Sequence, residues 1–275
     1  MKQNPRQVVS SGYVRVFRQR TDMPFRSSNT LCIETTWRDI DRLVPAYEQA
    51  MQKEQELARQ YVFAWNPRYG YVTARPRVCG TATRIGALFH LEGLHVIGDL
   101  PPTLAALEAL RLDADPLSGN GFKDAGHFYR VSNAAMLGIK DTDLVARVHR
   151  AFRDLAKQEL AARKALVYEM PRYFEDAVSR ALAILKSARM LSEWEFLDLL
   201  SPIRIAAQMD FLDDFTSKEA DTLISERLDL EDDGEAQSMD EEDARDRRDA
   251  KLADRVNARF ATVRLNDKAM EELLP

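Results

Sequence analysis

Residues 70–91 read GYVTARPRVCGTATRIGALFHL, and their pattern decides the fold class. The first half is a turn-rich loop, punctuated by Pro76 and Gly80, from which Arg75 and Arg77 project. The second half alternates: Thr83, Ile85, Ala87, Phe89 and Leu91 share one face, and Arg84, Gly86, Leu88 and His90 share the other. That is a strand with one apolar and one mixed face. A single arginine beside a glycine on the mixed face suits a floor over which an anionic ligand lies.

The rest of the chain bounds the class. With 275 residues, 45% hydrophobic and 30% charged, it can bury one large core or two small ones and has an ordinary globular composition. The leading MKQNPRQVV lacks an apolar signal region, and no apolar run approaches the roughly 20 residues of a membrane span, so a cytoplasmic location without membrane contact is expected. No nucleic-acid partner is expected either. Cys32 and Cys79 form neither a metal-ligand spacing nor a disulfide framework, and both are expected to be buried spectators; no metal site is predicted. Charge is uneven: residues 231–249 carry a net of −7 against −5 for the whole, leaving the remainder at +2. That acidic stretch reads as a solvated, mobile linker.

In chain order, residues 8–20 combine β-branched residues with Arg15 and Arg18 and predict a strand; NTLCIE predicts another. From Trp37 to Tyr61 the recurrence of Ile40, Leu43, Val44, Tyr47, Met51 and Leu57 predicts a helix, with Lys53, Glu54, Glu56 and Arg59 outside. YVFAW reads as a short strand, NPRYG as a turn, and Pro101–Pro102 open a helix striped by Leu104, Leu107 and Leu110. A long helix is predicted from Asp141 to Met170 and another from Tyr173 to Ala188. Ser192–Glu195 and Thr216–Glu219 read as caps of the next two, and a last helix is predicted over Arg245–Leu265. The lone His127 reads as a surface or strand histidine.

The stretch resembles a segment of the phosphagen (guanidino) kinases and their bacterial branch, the protein-arginine kinases, of the form GYLTxCPTNxGTxxRASVxxHLP. Gly70, Tyr71, Thr73, Pro76, Gly80, Thr81, Arg84, His90 and Leu91 match it without an insertion. Residues 115–138, DPLSGNGFKDAGHFYRVSNAAMLG, resemble the family's RGxxGExxxxxGxxYQISNxxTLG at Gly119, Gly126, Tyr129, Ser132, Asn133, Leu137 and Gly138. Near the N-terminus the family has SSRIRLARN; with one inserted residue at Gly12, Tyr13 replaces its first arginine while Arg15 and Arg18 remain. Close to the C-terminus, Arg248, Asp249, Ala253 and Val256 resemble a phosphoarginine-sensing RDxxRAxxI element, but Leu252 replaces its second arginine.

The resemblance implies an α+β fold, an antiparallel sheet flanked by helices with a helical C-terminal portion. It implies a degenerate, N-terminally shortened catalytic domain over 1–188, helices over 189–230, an acidic linker over 231–244 and a C-terminal helix over 245–275. It also implies altered chemistry. Phosphoryl transfer to a guanidinium needs cations that align nucleotide phosphates, usually with Mg²⁺, and carboxylates that orient the acceptor. Arg15 and Arg84 keep a vestigial phosphate site, with Arg75 and Arg77 as further candidates, whereas Asp115 stands for a phosphate-contacting arginine. At the catalytic positions, Asn120 stands for a glutamate and Arg75 for a cysteine. The implied reading is a catalytically impaired kinase-like protein, a pseudokinase, that acts by binding or regulation and has no assured cofactor, Mg-ATP being the one to test. Its expected partners are proteins: an active arginine kinase, a protease adaptor, or a second copy in a homodimer. The alternatives are an active ATP-dependent arginine phosphotransferase, with Arg75 and Arg77 as phosphate ligands and Glu34 as base, and an anion-binding module for phosphorylated partners.

Overall fold

The computed structural model describes residues 8–23, 25–117, 124–134, 137–228, 241–266 and 268–269, without the side chains of Arg77, Arg227, Leu228 and Glu241. Strands β1 (Val9–Gln19) and β2 (Thr30–Trp37) lead into helix α1 (Leu43–Ala58). The short pair β3 (Trp65–Asn66) and β4 (Gly70–Tyr71) precedes β5 (Thr83–His90). Helices α2 (Glu92–Val96) and α3 (Leu100–Ala109) follow, then β6 (Leu112–Pro116) and β7 (Phe128–Asn133). Helices α4 (Asp141–Glu169), α5 (Pro171–Ser187) and α6 (Glu193–Gln208) come next. The described part closes with β8 (Leu212–Asp213), α7 (Ser217–Leu228), α8 (Glu241–Phe260) and β9 (Arg264–Leu265). This is the expected α+β architecture with a helical C-terminal part.

The described residues fall into two compact units. The first draws on Met1–Phe89, Asp99–Asp115 and Tyr129–Leu160; the second on His90–Gly98, Pro116–Phe128 and Ala161–Pro275.

The first unit is built on a five-stranded antiparallel sheet in the order β2-β1-β5-β7-β6. Its register sets Arg15 opposite Glu34 on one side and opposite Arg84 on the other, and Tyr13 opposite Gly86. Alternation sends Val14, Val16, Ile33, Ile85, Ala87 and Phe89 into the core. Helices α1 and α4 cover that side. The Phe152 ring lies 5.1 Å from Phe89 and 6.2 Å from Trp37, and Thr35 Oγ1 donates to the Ala46 carbonyl at 2.8 Å. Each such buried aromatic contributes roughly 1.5–3 kcal/mol.

Helix α1 forms where the periodicity predicts it, but it buries Leu43, Ala46, Ala50 and Glu54 rather than the stripe through Met51 and Leu57. Glu54, expected on the outer face, is 5% exposed. The reason is Arg18, fully buried on the core side of β1: a charge without solvent needs a carboxylate, and Glu54 supplies it. Leu110, counted in the apolar stripe of α3, is exposed. Cys32 is exposed, not buried, because it shares the solvent-facing side of β2 with Glu34 and Thr36. Cys79 is half-buried, its Sγ accepting from the Thr73 amide at 3.4 Å.

In the second unit α5 packs against α6 and α8. Ser192 caps α6, its hydroxyl accepting from the Glu195 amide at 3.4 Å. Thr216 and Glu219 cap α7 reciprocally: each backbone amide donates to the other's side chain, at 2.8 and 3.3 Å. Helix α8, described from Glu241, takes in residues before the predicted Arg245 and stops at Phe260, so Arg264 and Leu265 are free to pair with β8. Of the acidic stretch expected as a linker over 231–244, residues 231–240 lie outside the described residues and 241–244 lie within α8.

Candidate functional site

The first unit carries the arginines singled out by the sequence. On β1 a spacing of two keeps Tyr13 and Arg15 on the side away from α1 and α4, joined there by Cys32, Glu34 and Thr36 of β2 and Arg84 and Gly86 of β5. Arg18 lies three residues from Arg15 and therefore points to the opposite side. It is not part of this face.

Arg15 is held by a two-pronged contact. Its Nε donates to Glu34 Oε2 at 2.9 Å and its Nη2 to Oε1 at 3.3 Å, while its guanidinium carbon sits 4.5 Å from the centre of the Tyr13 ring. The bond to Glu34 raises the Arg15 pKa further, so the group stays charged. Tyr13 covers Gly86 closely: a Cβ at that glycine would lie 2.5 Å from the Tyr13 hydroxyl oxygen. Arg84 donates from Nη2 to Ser132 Oγ at 2.9 Å. Next to it Asn133 accepts from the Ile85 amide at 2.6 Å and donates to the Thr83 carbonyl at 3.1 Å, which locks β5 and β7 together. The structure thus brings Arg15 and Arg84 together, and adds Glu34, Tyr13 and Ser132 as their partners.

Arg75 is exposed at the head of the loop, and its charge reaches the Cys32 thiol. Partial burial pushes that thiol pKa up, against the pull of Arg15 and Arg75. Gly70 takes a φ of +73°, and a Cβ there would come within 2.5 Å of the Gly80 carbonyl oxygen, so the loop closes only with glycine. Asp115 is exposed at the end of β6. Asn120 and the side chain of Arg77 lie outside the described residues.

Behind the sheet, Arg18 donates from Nε to Glu54 at 2.9 Å and lies 3.5 Å from the centre of the Tyr71 ring, whose hydroxyl donates to the same carboxylate at 3.2 Å. Burial, then the Asp141 carboxylate, pushes the Tyr47 pKa up to about 12. A cleft of about 660 Å³ between α1 and α4 is lined by Tyr47 and His149 but by none of the arginines of the open face.

The second unit contains a serine–histidine pair that invites a hydrolase reading. His90 is fully buried, its Nδ1 facing Arg163 Nη2 at 2.9 Å and Arg204 Nη1 at 3.3 Å. A guanidinium only donates, so Nδ1 accepts and Nε2 carries the proton that is donated to Ser201 Oγ at 2.7 Å. Ser201 in turn donates to Glu92 at 2.8 Å. The histidine donates to the hydroxyl and so cannot take its proton as the base of a serine–histidine pair does, and the chain of hydrogen bonds orders the core. Burial, then the two arginines, holds the His90 pKa well below its usual value. His127 is not a surface group: it is half-buried, stacked 3.5 Å from His95, and burial followed by His95 lowers its pKa to about 4. Leu252, at the position resembling a phosphoarginine-sensing arginine, is buried in the core. Among the described residues no group of three or more His, Cys, Asp or Glu is arranged to hold a metal, and no helix is long and apolar enough to cross a membrane.

Comparison with known proteins agrees with the motifs. Residues 32–162 match the model of the ATP:guanido phosphotransferase C-terminal catalytic domain, and residues 171–271 match that of the protein-arginine kinase McsB C-terminal domain. The chain belongs to the ATP:guanido phosphotransferase family and is similar to its protein-arginine kinase branch. It is 28% identical over 182 residues to the protein-arginine kinase of Clostridium acetobutylicum, covering 66% of this chain and 54% of that one. It is 33% identical over 171 residues to that of Moorella thermoacetica, covering 62% and 47%. The chain therefore spans about half the length of the curated relatives it matches. Among solved structures it is similar to the duplicated taurocyamine kinase of Schistosoma mansoni, with a TM-score of 0.46 at 14% identity, covering 66% of this chain and 39% of that one.

Proposed function

We propose that this chain is a protein-arginine-kinase relative with impaired phosphoryl transfer, acting in the cytoplasm by binding and regulation. The observation that carries this reading is the occupancy of its arginine face by its own side chains. Tyr13 lies over Gly86, and Arg15 is held by Glu34 instead of standing free for a phosphate. A triphosphate chain fits this arrangement poorly: it would have to displace the phenol and compete with the Glu34 carboxylate for the Arg15 fork. The altered catalytic positions, Asn120 for glutamate and Arg75 for cysteine, support the same reading; losing an acid/base group costs about 10²–10⁴ in rate. The partner we propose is a protein, either an active arginine kinase or a protease adaptor, or a second copy of this chain.

The test is mass spectrometry, under conditions that preserve the acid-labile P–N bond, after incubation with ATP, Mg²⁺ and an unfolded arginine-rich protein. No phosphoarginine is expected. The combined variant Asn120→Glu, Arg75→Cys, Asp115→Arg is expected to gain trace activity that no single change gives, since such groups act as a unit. A second reading, an active protein-arginine phosphotransferase, is favoured by the relatives, which carry that name. Abundant phosphoarginine from the unaltered chain, lost in Arg84→Ala, would establish it and overturn the first.

A further inference from the structure

Directly opposite like charges on neighbouring strands repel, yet β1 and β5 set Arg15 beside Arg84. The structure offsets this from the far side, where Glu34 of β2 faces Arg15 in register and grips it through both carboxylate oxygens. Tyr13 lies beneath the Arg15 guanidinium, and Ser132 accepts from Arg84. The side chains of Arg15 and Glu34 are 43% and 39% exposed, so water and small anions reach the pair. An exposed ion pair of this kind is worth only about 0–1 kcal/mol net, and an incoming dianion can therefore compete with it.

We propose that Glu34 is an internal competitor on an anion receptor: from the β2 side its carboxylate engages the Arg15 fork that a compact phosphoryl group bound between Arg15 and Arg84 would need. This rests on the reading of the arginine face given above and adds the residue that sets its affinity. On exchange, the Arg15 fork transfers from a monoanionic carboxylate to a phosphoryl oxygen pair, a geometry it suits equally well. Arg84 then leaves the neutral Ser132 hydroxyl for the same anion. Glu34 returns to water at the sheet edge, where its exposure already permits it. No bond is made or broken. The device filters by charge, because a singly charged carboxylate ligand gains nothing over Glu34 whereas a dianion does.

The experiment is calorimetric titration of the full chain with inorganic pyrophosphate, for the wild type, Glu34→Gln, Glu34→Asp and the double variant Arg15→Ala with Glu34→Gln. Thermal unfolding is followed on each to confirm the fold. Glu34→Gln is expected to bind roughly tenfold more tightly than wild type, as one charge-assisted competitor is removed. Glu34→Asp, whose shorter carboxylate retreats from Arg15, is expected to fall between them and keeps the test intact should the neutral variant lose stability. The double variant is expected to lose the gain. Equal or weaker binding by Glu34→Gln and Glu34→Asp, or a gain that survives loss of Arg15, would overturn the proposal. ADP and free phosphoarginine titrated alongside identify the source of the group, as the one whose affinity follows pyrophosphate across the variants. The outcome is separable from the test of catalysis: phosphoarginine formation with the Glu34→Gln gain sinks only the impaired reading, and silence without the gain sinks only this one.

Discussion

At the scale of single residues, two charges of the first unit have opposite fates only three positions apart. Arg15 stands on the solvent side of β1 with an exposed partner, while Arg18 is buried with Glu54 and the Tyr71 ring. Removing one partner of a buried pair leaves the other without solvent or counter-charge, so Glu54→Ala is expected to destabilise by roughly 3–5 kcal/mol. The equivalent loss at Glu34 is expected to stay within about 1 kcal/mol. Urea unfolding of the two variants side by side checks this; equal losses would contradict the assignment of Glu54 as the structural carboxylate.

At the scale of elements, the caps of the second unit were legible because a capping box is a local matter. Thr216 and Glu219 satisfy each other's amides at the start of α7, and Arg259 of α8 donates to Glu219. Thr216→Ala is therefore expected to cost about 1 kcal/mol. Glu219→Ala should cost more, since it also loses Arg259, and a smaller loss for Glu219→Ala in chemical denaturation would refute this coupling. The end of α8 was not legible in the same way. Leu252, Val256, Phe260 and Val263 keep a helical spacing and all are buried, yet the helix stops at Phe260. The backbone of Arg264–Leu265 pairs with Leu212–Asp213, a long-range choice that side-chain periodicity does not encode.

At the scale of the whole molecule, the buried histidines make stability depend on pH. His90 and His127 both have folded pKa values depressed mainly by burial, His127 to about 4, whereas in the unfolded chain each titrates near 6.5. Below about 6.5 the unfolded state takes up protons that the folded state refuses, so stability present above that pH is lost as pH falls toward 4. Each histidine contributes at most roughly 1.4 kcal/mol per pH unit. Asp141 and Asp198, raised by burial, act in the opposite sense at the acid end of this window. The expected result is a lower urea midpoint at pH values near 5 than near 7.5, with a shallower dependence in His127→Gln. A midpoint that is flat or rises on acidification, or a slope unchanged in His127→Gln, would be inconsistent with buried neutral histidines.

The strand at Thr83–His90, the long helix from Asp141, the helix caps and the family are all written in local spacing: a period of two, a period near 3.6, or a motif without gaps. The sequence also brought Arg15 and Arg84 forward as a pair. Which side of each pattern is covered depends on long-range packing. Period two places Cys32 and Glu34 on one face and Ile33 and Thr35 on the other, but packing of α1 and α4 on the second face is what leaves Cys32 in solvent. Period 3.6 leaves Glu54 outside until a buried Arg18 requires its charge. The contact of Glu34 with Arg15 arises from register between β1 and β2, 19 residues apart in the chain, and no local rule specifies it.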